Sequence, residues 1–442
     1  MTPSRQGTPV AGDRDTERSE PSGHGTAGDA TPIPDTGEAV RLIRDATFPP
    51  ASGRAFRIGV EAELIPIDRE TRRIAPIPTV MAVLAPLAET NAWRAVPTTK
   101  GAPAFDLSGG GRFTFEPGGQ LEYAAPPFAA PSAALANLRA VITPVTNRLA
   151  DAGIDLYGLG IDPFNAPDDV PLQVGEDRYR RMDAYYARFG PAGARMMRQT
   201  ASIQLSIDSA CDQHLVWRVL NALAPVMVAT FANSRRYAGR DSGYANFRSR
   251  TWQLLDRTRT GLPWQAGSPE RHYAEFALDA PAMFFQDTAG EFHPFRHWIE
   301  QGRASPGALA THLSTLFPEV RPRRYFEVRS VDALPLSMYA APVMMIAGLA
   351  LDGTALADAA DLLGEPDTAW LIRAARFGMR DATLAGRAVQ VARLAVAACR
   401  NRPDLCGAAD VDAAEAFFEH FTEQGRSPAD AADAVQAASN AA

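Results

Sequence analysis

Between residues 56 and 68 the chain reads FRIGVEAELIPID, with apolar and polar side chains in alternation. Phe56, Ile58, Val60, Ala62 and Leu64 share one parity and Arg57, Glu61 and Glu63 the other, the period-two pattern of a half-buried strand. FTFEPGGQLEYAA (113–125) alternates too, around a Pro-Gly-Gly turn, and so does MMRQTASIQLSID (196–208). IDLYGLGID (154–162) and YFEVRSVDALP (325–335) read as two further strands. Helical spacing starts the fold at 37–47 and returns at 131–152, where Gly153 ends it, then at 176–190 and 212–233. Beyond the strand at 325–335 the pattern is mostly helical to about residue 424. Strands separated by long helical insertions predict an α+β fold, one sheet with helices around it.

The two ends differ from this middle. Residues 1–35 are rich in Pro, Gly, Ser, Thr and charge and contain no aromatic residue. Such a segment buries too little apolar surface to offset chain entropy, which predicts a disordered tail. Residues 427–442 are Ala-rich without large apolar side chains and predict a frayed end, leaving 36–426 as one catalytic domain. The apolar run 335–351 is broken by Ser337, Pro342 and Gly348, which favours a buried helix over a membrane span of about 20 residues.

Composition narrows the class. Of 442 residues, 44 are Lys or Arg and 51 Asp or Glu, a net charge of −7, which disfavours nucleic-acid binding through overall charge. Three cysteines, Cys211, Cys399 and Cys406, form no CxxC pattern, no zinc site and no readable disulfide framework, so a reducing cytoplasm is the expected compartment.

The chemistry lies in the acidic residues on the strands. Glu61 and Glu63 are two apart, so both carboxylates leave one face, where they repel unless a cation or partner stands between them. Glu116 and Glu122 flank the Pro-Gly-Gly-Gln turn at even spacing, and Glu327, with Arg329 next on its face, adds a carboxylate on another strand. Gln204 offers an amide between Ile203 and Leu205. Such oxygen-rich ligation, poor in His and Cys, suits Mg²⁺ or Mn²⁺. Hard metals with arginine nearby suit phosphoryl transfer from a nucleotide. The basic segment RSRTWQLLDRTRTG (248–261) supplies Arg248, Arg250, Arg257 and Arg259. His272, His293, His297 and His312 are scattered, and no Walker A or Ser-His-Asp arrangement is readable.

Taken in series, GVEAE, EPGGQLEYAAPP, MMRQTASIQLSID, ANSRRYAGRDSGYANFRSRTWQLLDRTRTG and HLSTLFPEVRPRRYFEVRSVDALP resemble the glutamate–cysteine ligases of the plant-like and ergothioneine-pathway branch. The resemblance covers about residues 55–380, and FGMRDATLAGRAVQVARLAVAA resembles the actinobacterial ergothioneine-type enzymes. It implies a curved antiparallel sheet, a cup or funnel lined with carboxylates and surrounded by helices, like that of glutamine synthetase. It also implies ATP-dependent joining of the glutamate γ-carboxylate to the cysteine amine through an acyl phosphate. Carried over by motif, Glu61, Glu63, Glu116, Glu122, Gln204 and Glu327 would be metal ligands. Arg329, with Glu327, would serve the transferring phosphoryl group, while Arg248, Trp252 and Arg259 would bind glutamate or ATP. The partners implied are small molecules, namely ATP, glutamate and cysteine or another amine, with no nucleic acid or membrane.

Two stretches depart from the plant-like pattern. Gln253, Leu254 and Leu255 stand where polar residues follow the matching tryptophan, and Ser330 to Pro335 replaces a Gly-Ala-Asp-Gly-Gly-Pro type stretch. The acceptor side is therefore the open one. A same-fold ligase using another amine, and an inactive metabolite-binding homologue, stay as rival readings.

Overall fold

The computed structural model describes residues 31–49, 54–97 and 103–431. Most of the expected N-terminal tail, and residues 432–442 of the C-terminal one, lie outside them. Among the described residues nine strands form one sheet. They are β1 (Arg57–Asp68), β2 (Arg94–Pro97), β3 (Pro103–Asp106), β4 (Arg112–Phe115), β5 (Leu121–Ala124), β6 (Ile154–Tyr157), β7 (Ser202–Asp208), β8 (Val320–Pro322) and β9 (Phe326–Asp332). The order is β8-β9-β7-β1-β5-β4-β3-β2, with β6 on the C-terminal half of β1, and every pairing is antiparallel.

Alternation decides which face is dry. Ile58, Val60, Ala62 and Leu64 of β1, Ile203, Leu205 and Ile207 of β7, and Phe326 and Val328 of β9 enter one buried cluster. Helices Pro131–Asp151 and Gln213–Thr230 pack on these strands. Trp217 meets Phe326 at 5.5 Å and Phe48 at 5.3 Å between ring centres, and Phe48 closes the edge beside Tyr273. Full burial of each large apolar side chain contributes roughly 1.5–3 kcal/mol. Behind them helix Ala340–Leu351 is buried at every position from Ala340 to Ala350, as expected for the apolar run. Helix Ala382–Arg400 is long and apolar enough to cross a membrane, but its Leu384, Ala388, Val391 and Ala395 face is buried in this helical layer.

Several expected boundaries move. MMRQ does not extend β7; it closes helix Pro191–Gln199, and Thr200 and Ala201 lead into the strand. The strand expected over 154–162 stops at Tyr157, and helix Ile77–Thr90 was not legible. The tail boundaries at 35 and 427 also shift. Ile33 is buried, with its N–H on the Ala304 carbonyl at 2.8 Å, and Asp35 caps helix Thr36–Thr47 by accepting from Glu38 N at 2.8 Å. At the other end Pro428 and Ala429 are buried, and Ala429 N donates to Ala232 O at 2.8 Å.

Candidate active site

The face of the sheet away from that core carries the acidic residues, and strand register brings them together. Glu63 lies directly opposite Glu122 on β5, and Glu122 opposite Thr114 on β4. Glu61 lies opposite Gln204 on β7, and Glu327 opposite Ser206. Glu116 reaches the same place from the turn that joins β4 to β5. One oxygen each from Glu63, Glu116 and Glu122 lies within 4.8 Å of the others.

That turn is held tightly. Gly119 N donates to Glu116 O at 2.8 Å, Gly118 N donates to the Gln120 side chain at 3.0 Å, and Gln173 Nε2 donates to Gly118 O at 2.7 Å. Gly119 has φ +97°, a left-handed value, and a Cβ on Gly118 would run into the Arg198 backbone carbonyl. Both glycines are therefore required by geometry, one by its dihedral and one by close approach.

Glu63 is anchored by three hydrogen bonds. Its Oε2 accepts from Ser202 N at 2.7 Å and Ser202 Oγ at 3.0 Å, and its Oε1 accepts from Gln204 Nε2 at 2.8 Å. Glu61 has part of its side chain in solvent. Burial by the surrounding protein, with the Glu122 and Glu327 charges, pushes its carboxyl up to about 8. Glu327 is fully buried. Burial alone would raise its carboxyl, but the Arg321, Arg329 and Arg323 guanidinium groups hold it at about 2. Arg321 grips it in bidentate fashion, Nε to Oε2 at 2.6 Å and Nη2 to Oε1 at 3.0 Å, while Arg329 Nη1 is 3.4 Å from Oε2.

The six expected ligands thus divide. Glu63, Glu116 and Glu122 converge as oxygen donors with no His or Cys among them, a set that fits a hard divalent cation. Glu61 adjoins them electrostatically. Glu327 is committed to arginines, and Gln204 uses its amide to bridge, donating to Glu63 and accepting from Arg329 Nη1.

The arginines also divide. Arg259 is fully buried, and its five N–H donors meet Asp256, Thr315 O, Thr315 Oγ1, Tyr185 Oη and Pro281 O. It clasps three loops and presents nothing to a substrate, which corrects the expectation that it binds glutamate or ATP. Arg248 is buried, with Nη2 donating to Arg329 O at 2.9 Å and Nη1 3.6 Å from Asp332 Oδ1. It therefore contacts the strand end that carries Arg329. Trp252 packs on Phe317 at 5.4 Å, and the Arg329 guanidinium lies over that same ring at 5.8 Å. Arg250 sits over Tyr244 at 5.5 Å, and Arg257 is exposed. Sequence reasoning missed Arg321 and Arg323.

The family model for glutamate–cysteine ligase family 2 matches residues 57–440. The chain belongs to that family. Glutamate–cysteine ligase EgtA of Mycolicibacterium smegmatis is 35% identical over 341 residues, covering 73% of this chain and 78% of that protein. EgtA of Mycobacterium tuberculosis (strain H37Rv) is 36% identical over 321 residues, 68% of this chain and 73% of that protein. The chloroplastic glutamate–cysteine ligase A of Oryza sativa subsp. japonica is 29% identical over 372 residues, 78% of this chain and 75% of that protein.

Within this family the two departing stretches turn out to be structural here. Gln253 Nε2 donates to Leu371 O at 3.0 Å, Leu255 is buried, and Leu254 is exposed. Ser330 Oγ donates to Glu319 Oε2 at 2.7 Å, Asp332 Oδ2 accepts from Asn233 N at 2.8 Å, and Ala333 N donates to Ala201 O at 3.1 Å. These residues fasten the end of β9 and the short helix Phe247–Gln253 in place.

Proposed function

We propose that this protein joins the γ-carboxylate of glutamate to the amine of cysteine at the cost of ATP, through an enzyme-bound γ-glutamyl phosphate. Membership of glutamate–cysteine ligase family 2 supports the reaction. The observation that carries the reading is local. Three carboxylates converge on a sheet face where, across Gln204, the Arg329 guanidinium stands beside Glu327.

Glu63, Glu116 and Glu122 would hold Mg²⁺ or Mn²⁺, with Glu61 completing the negative field. The bound cation supplies charge neutralisation for the phosphate oxygens. The chain's own residues do the rest. Arg329 offers N–H donors to the phosphoryl group in transfer, where negative charge is redistributed on the way to the acyl phosphate. Glu327 and Gln204 keep that guanidinium in place, and Arg321 in turn holds Glu327 ionised. Serine and glutamine contacts hold the Glu63 carboxylate pointed at the same side. The amine of cysteine then attacks the acyl carbon and inorganic phosphate leaves.

The test is ADP release by the full chain with glutamate, ATP, Mg²⁺ and a panel of amines, with mass spectrometry of the product. γ-Glutamylcysteine as the preferred product supports the proposal. Turnover only with a different amine assigns the protein to the same-fold ligase reading, and no turnover with any amine favours the inactive homologue.

A further inference from the structure

Register breaks where the phosphoryl arginine sits. Glu327 and Val328 pair in step with Ser206 and Leu205, but the next partners are Val331 and Ile203. Arg329 and Ser330 therefore both oppose Gln204, a β-bulge that bends the strand and re-aims its side chains. A bulge leaves ladder hydrogen bonds unmade, so other groups must hold it.

Here those groups are specific. Arg329 N donates to Glu319 O at 2.9 Å, and Arg329 O accepts from Arg248 Nη2 at 2.9 Å. Ser330 Oγ donates to the Glu319 carboxylate at 2.7 Å. Behind Arg248 stands Asp332, fully buried, with Oδ1 3.6 Å from Arg248 Nη1. Asp332 Oδ2 accepts from Ser234 Oγ at 2.7 Å, and that hydroxyl also accepts from Arg248 N at 3.1 Å. Two carboxylates and two guanidinium groups thus close a charge-balanced frame around two residues of β9. Asp332 Oδ1 makes no hydrogen bond among the described residues, so what it gives Arg248 is charge. An amide at this position would satisfy the same backbone and hydroxyl donors, which makes the negative charge the distinguishing feature.

We infer that Asp332 and Glu319 are positioning residues for the ligase reaction, acting through Arg248 and Ser330 on the bulge that aims Arg329. The inference rests on the proposed role of Arg329 at the phosphoryl group. Arg248, on this account, works from behind the reacting atoms.

The test uses steady-state kinetics of the full chain carrying Asp332→Asn, Glu319→Gln or Ser330→Ala, each alone and combined with Arg329→Lys. ADP affinity by calorimetry and the melting curve accompany each. The expected result is a kcat loss of roughly tenfold for the first two and about threefold for Ser330→Ala, since small misplacements of a reacting group are costly. KM for glutamate and ADP affinity stay within about twofold, because neither reports the phosphoryl contact. In the Arg329→Lys background the three losses shrink toward none, the non-additivity of residues acting as one unit. Losses that multiply in full with Arg329→Lys, or that fall equally on ADP affinity, overturn the inference. Arg329→Lys retaining parental kcat while Asp332→Asn loses it overturns the underlying assignment of Arg329 instead. If Asp332→Asn or Glu319→Gln does not fold, Ser330→Ala removes a single hydroxyl and decides between the same outcomes.

Discussion

Arg329 and Glu122 show what single residues in this site trade against each other. Arg329→Lys keeps the charge but loses the planar guanidinium whose Nη1 donates to Gln204 and lies beside Glu327, leaving its other N–H groups for a phosphoryl oxygen. We expect kcat to fall by about 10²-fold with KM for glutamate changed by no more than about threefold, a split read directly from initial rates. Glu122 faces Glu63 across the ladder, and like charges so placed destabilise a sheet. Glu122→Gln keeps an oxygen for the Thr114 hydroxyl, 3.2 Å from Glu122 Oε1, and removes the repulsion. It should raise the stability of the chelated protein by about 1 kcal/mol in urea unfolding while abolishing most ADP release. A variant both active and no more stable would show that Glu122 stands outside the cation cluster. At this scale the carboxylates were legible because period two decides the face a strand residue takes. Their distribution between cation and arginine was not, since it depends on cross-strand neighbours. Arg321 had a signal that went unread. In VRPRRYFEVR it and Glu327 are equidistant from a turn at Arg324, and the structure pairs them directly.

At the scale of elements, the hairpin of β4 and β5 delivers two of the three converging carboxylates, and its turn has no slack. Gly118→Ala puts a methyl group against the Arg198 carbonyl, which belongs to helix Pro191–Gln199 and not to a flexible side chain. Overpacking of this kind costs about 1–3 kcal/mol, and the turn must shift to relieve it. The expected outcome is a lower melting temperature together with a raised Mg²⁺ requirement, because Glu116 moves with the turn. Unchanged Mg²⁺ dependence would mean the turn does not set the cluster. The Pro-Gly-Gly turn was readable from sequence because its glycines punctuate two alternating runs. The start of β7 was not. The run MMRQ, two adjacent apolar residues and then two polar ones, interrupts the alternation that begins at Thr200, and Met196 and Met197 are both buried in a satellite cluster with Tyr185 and Tyr186, as neighbours on a helix can be. The strands β2 and β3 are four residues each, too short for periodicity to distinguish them from loop.

For the whole molecule, the core extends past the ends that composition marked. Deleting residues 1–30 should leave the melting temperature unchanged, whereas deletion through residue 34 removes Ile33, a buried side chain worth about 1.5–3 kcal/mol, and should lower it. Equal melting of the two truncations would reject that boundary. The acidic face gives the molecule a further global property, a coupling of stability to pH and cation. Glu61 titrates near 8 in the fold, against an ordinary value of 4.5, because burial and the Glu122 and Glu327 charges disfavour its ionised form. Between those two values the folded state holds a proton the unfolded chain has released. Stability therefore declines as pH rises through this window, the reverse of the usual carboxylate case. Glu327 has the opposite sign. Its arginine partners hold it at about 2, so its contribution is complete above the ordinary carboxylate range and is lost only as pH falls toward 2. A divalent cation at Glu63, Glu116 and Glu122 counters the field that raises Glu61. The stabilisation by Mg²⁺ should then grow from pH 5.5 to 8.5, since more of the Glu61 proton must be lost at the higher pH without help. Melting curves with chelator and with Mg²⁺ across that range measure the gap. In Glu61→Gln the gap should lose most of its pH dependence while a constant offset from the other three carboxylates remains. A gap that is flat with pH in the parent protein, or equally steep in Glu61→Gln, would show that Glu61 lies outside the cation's field.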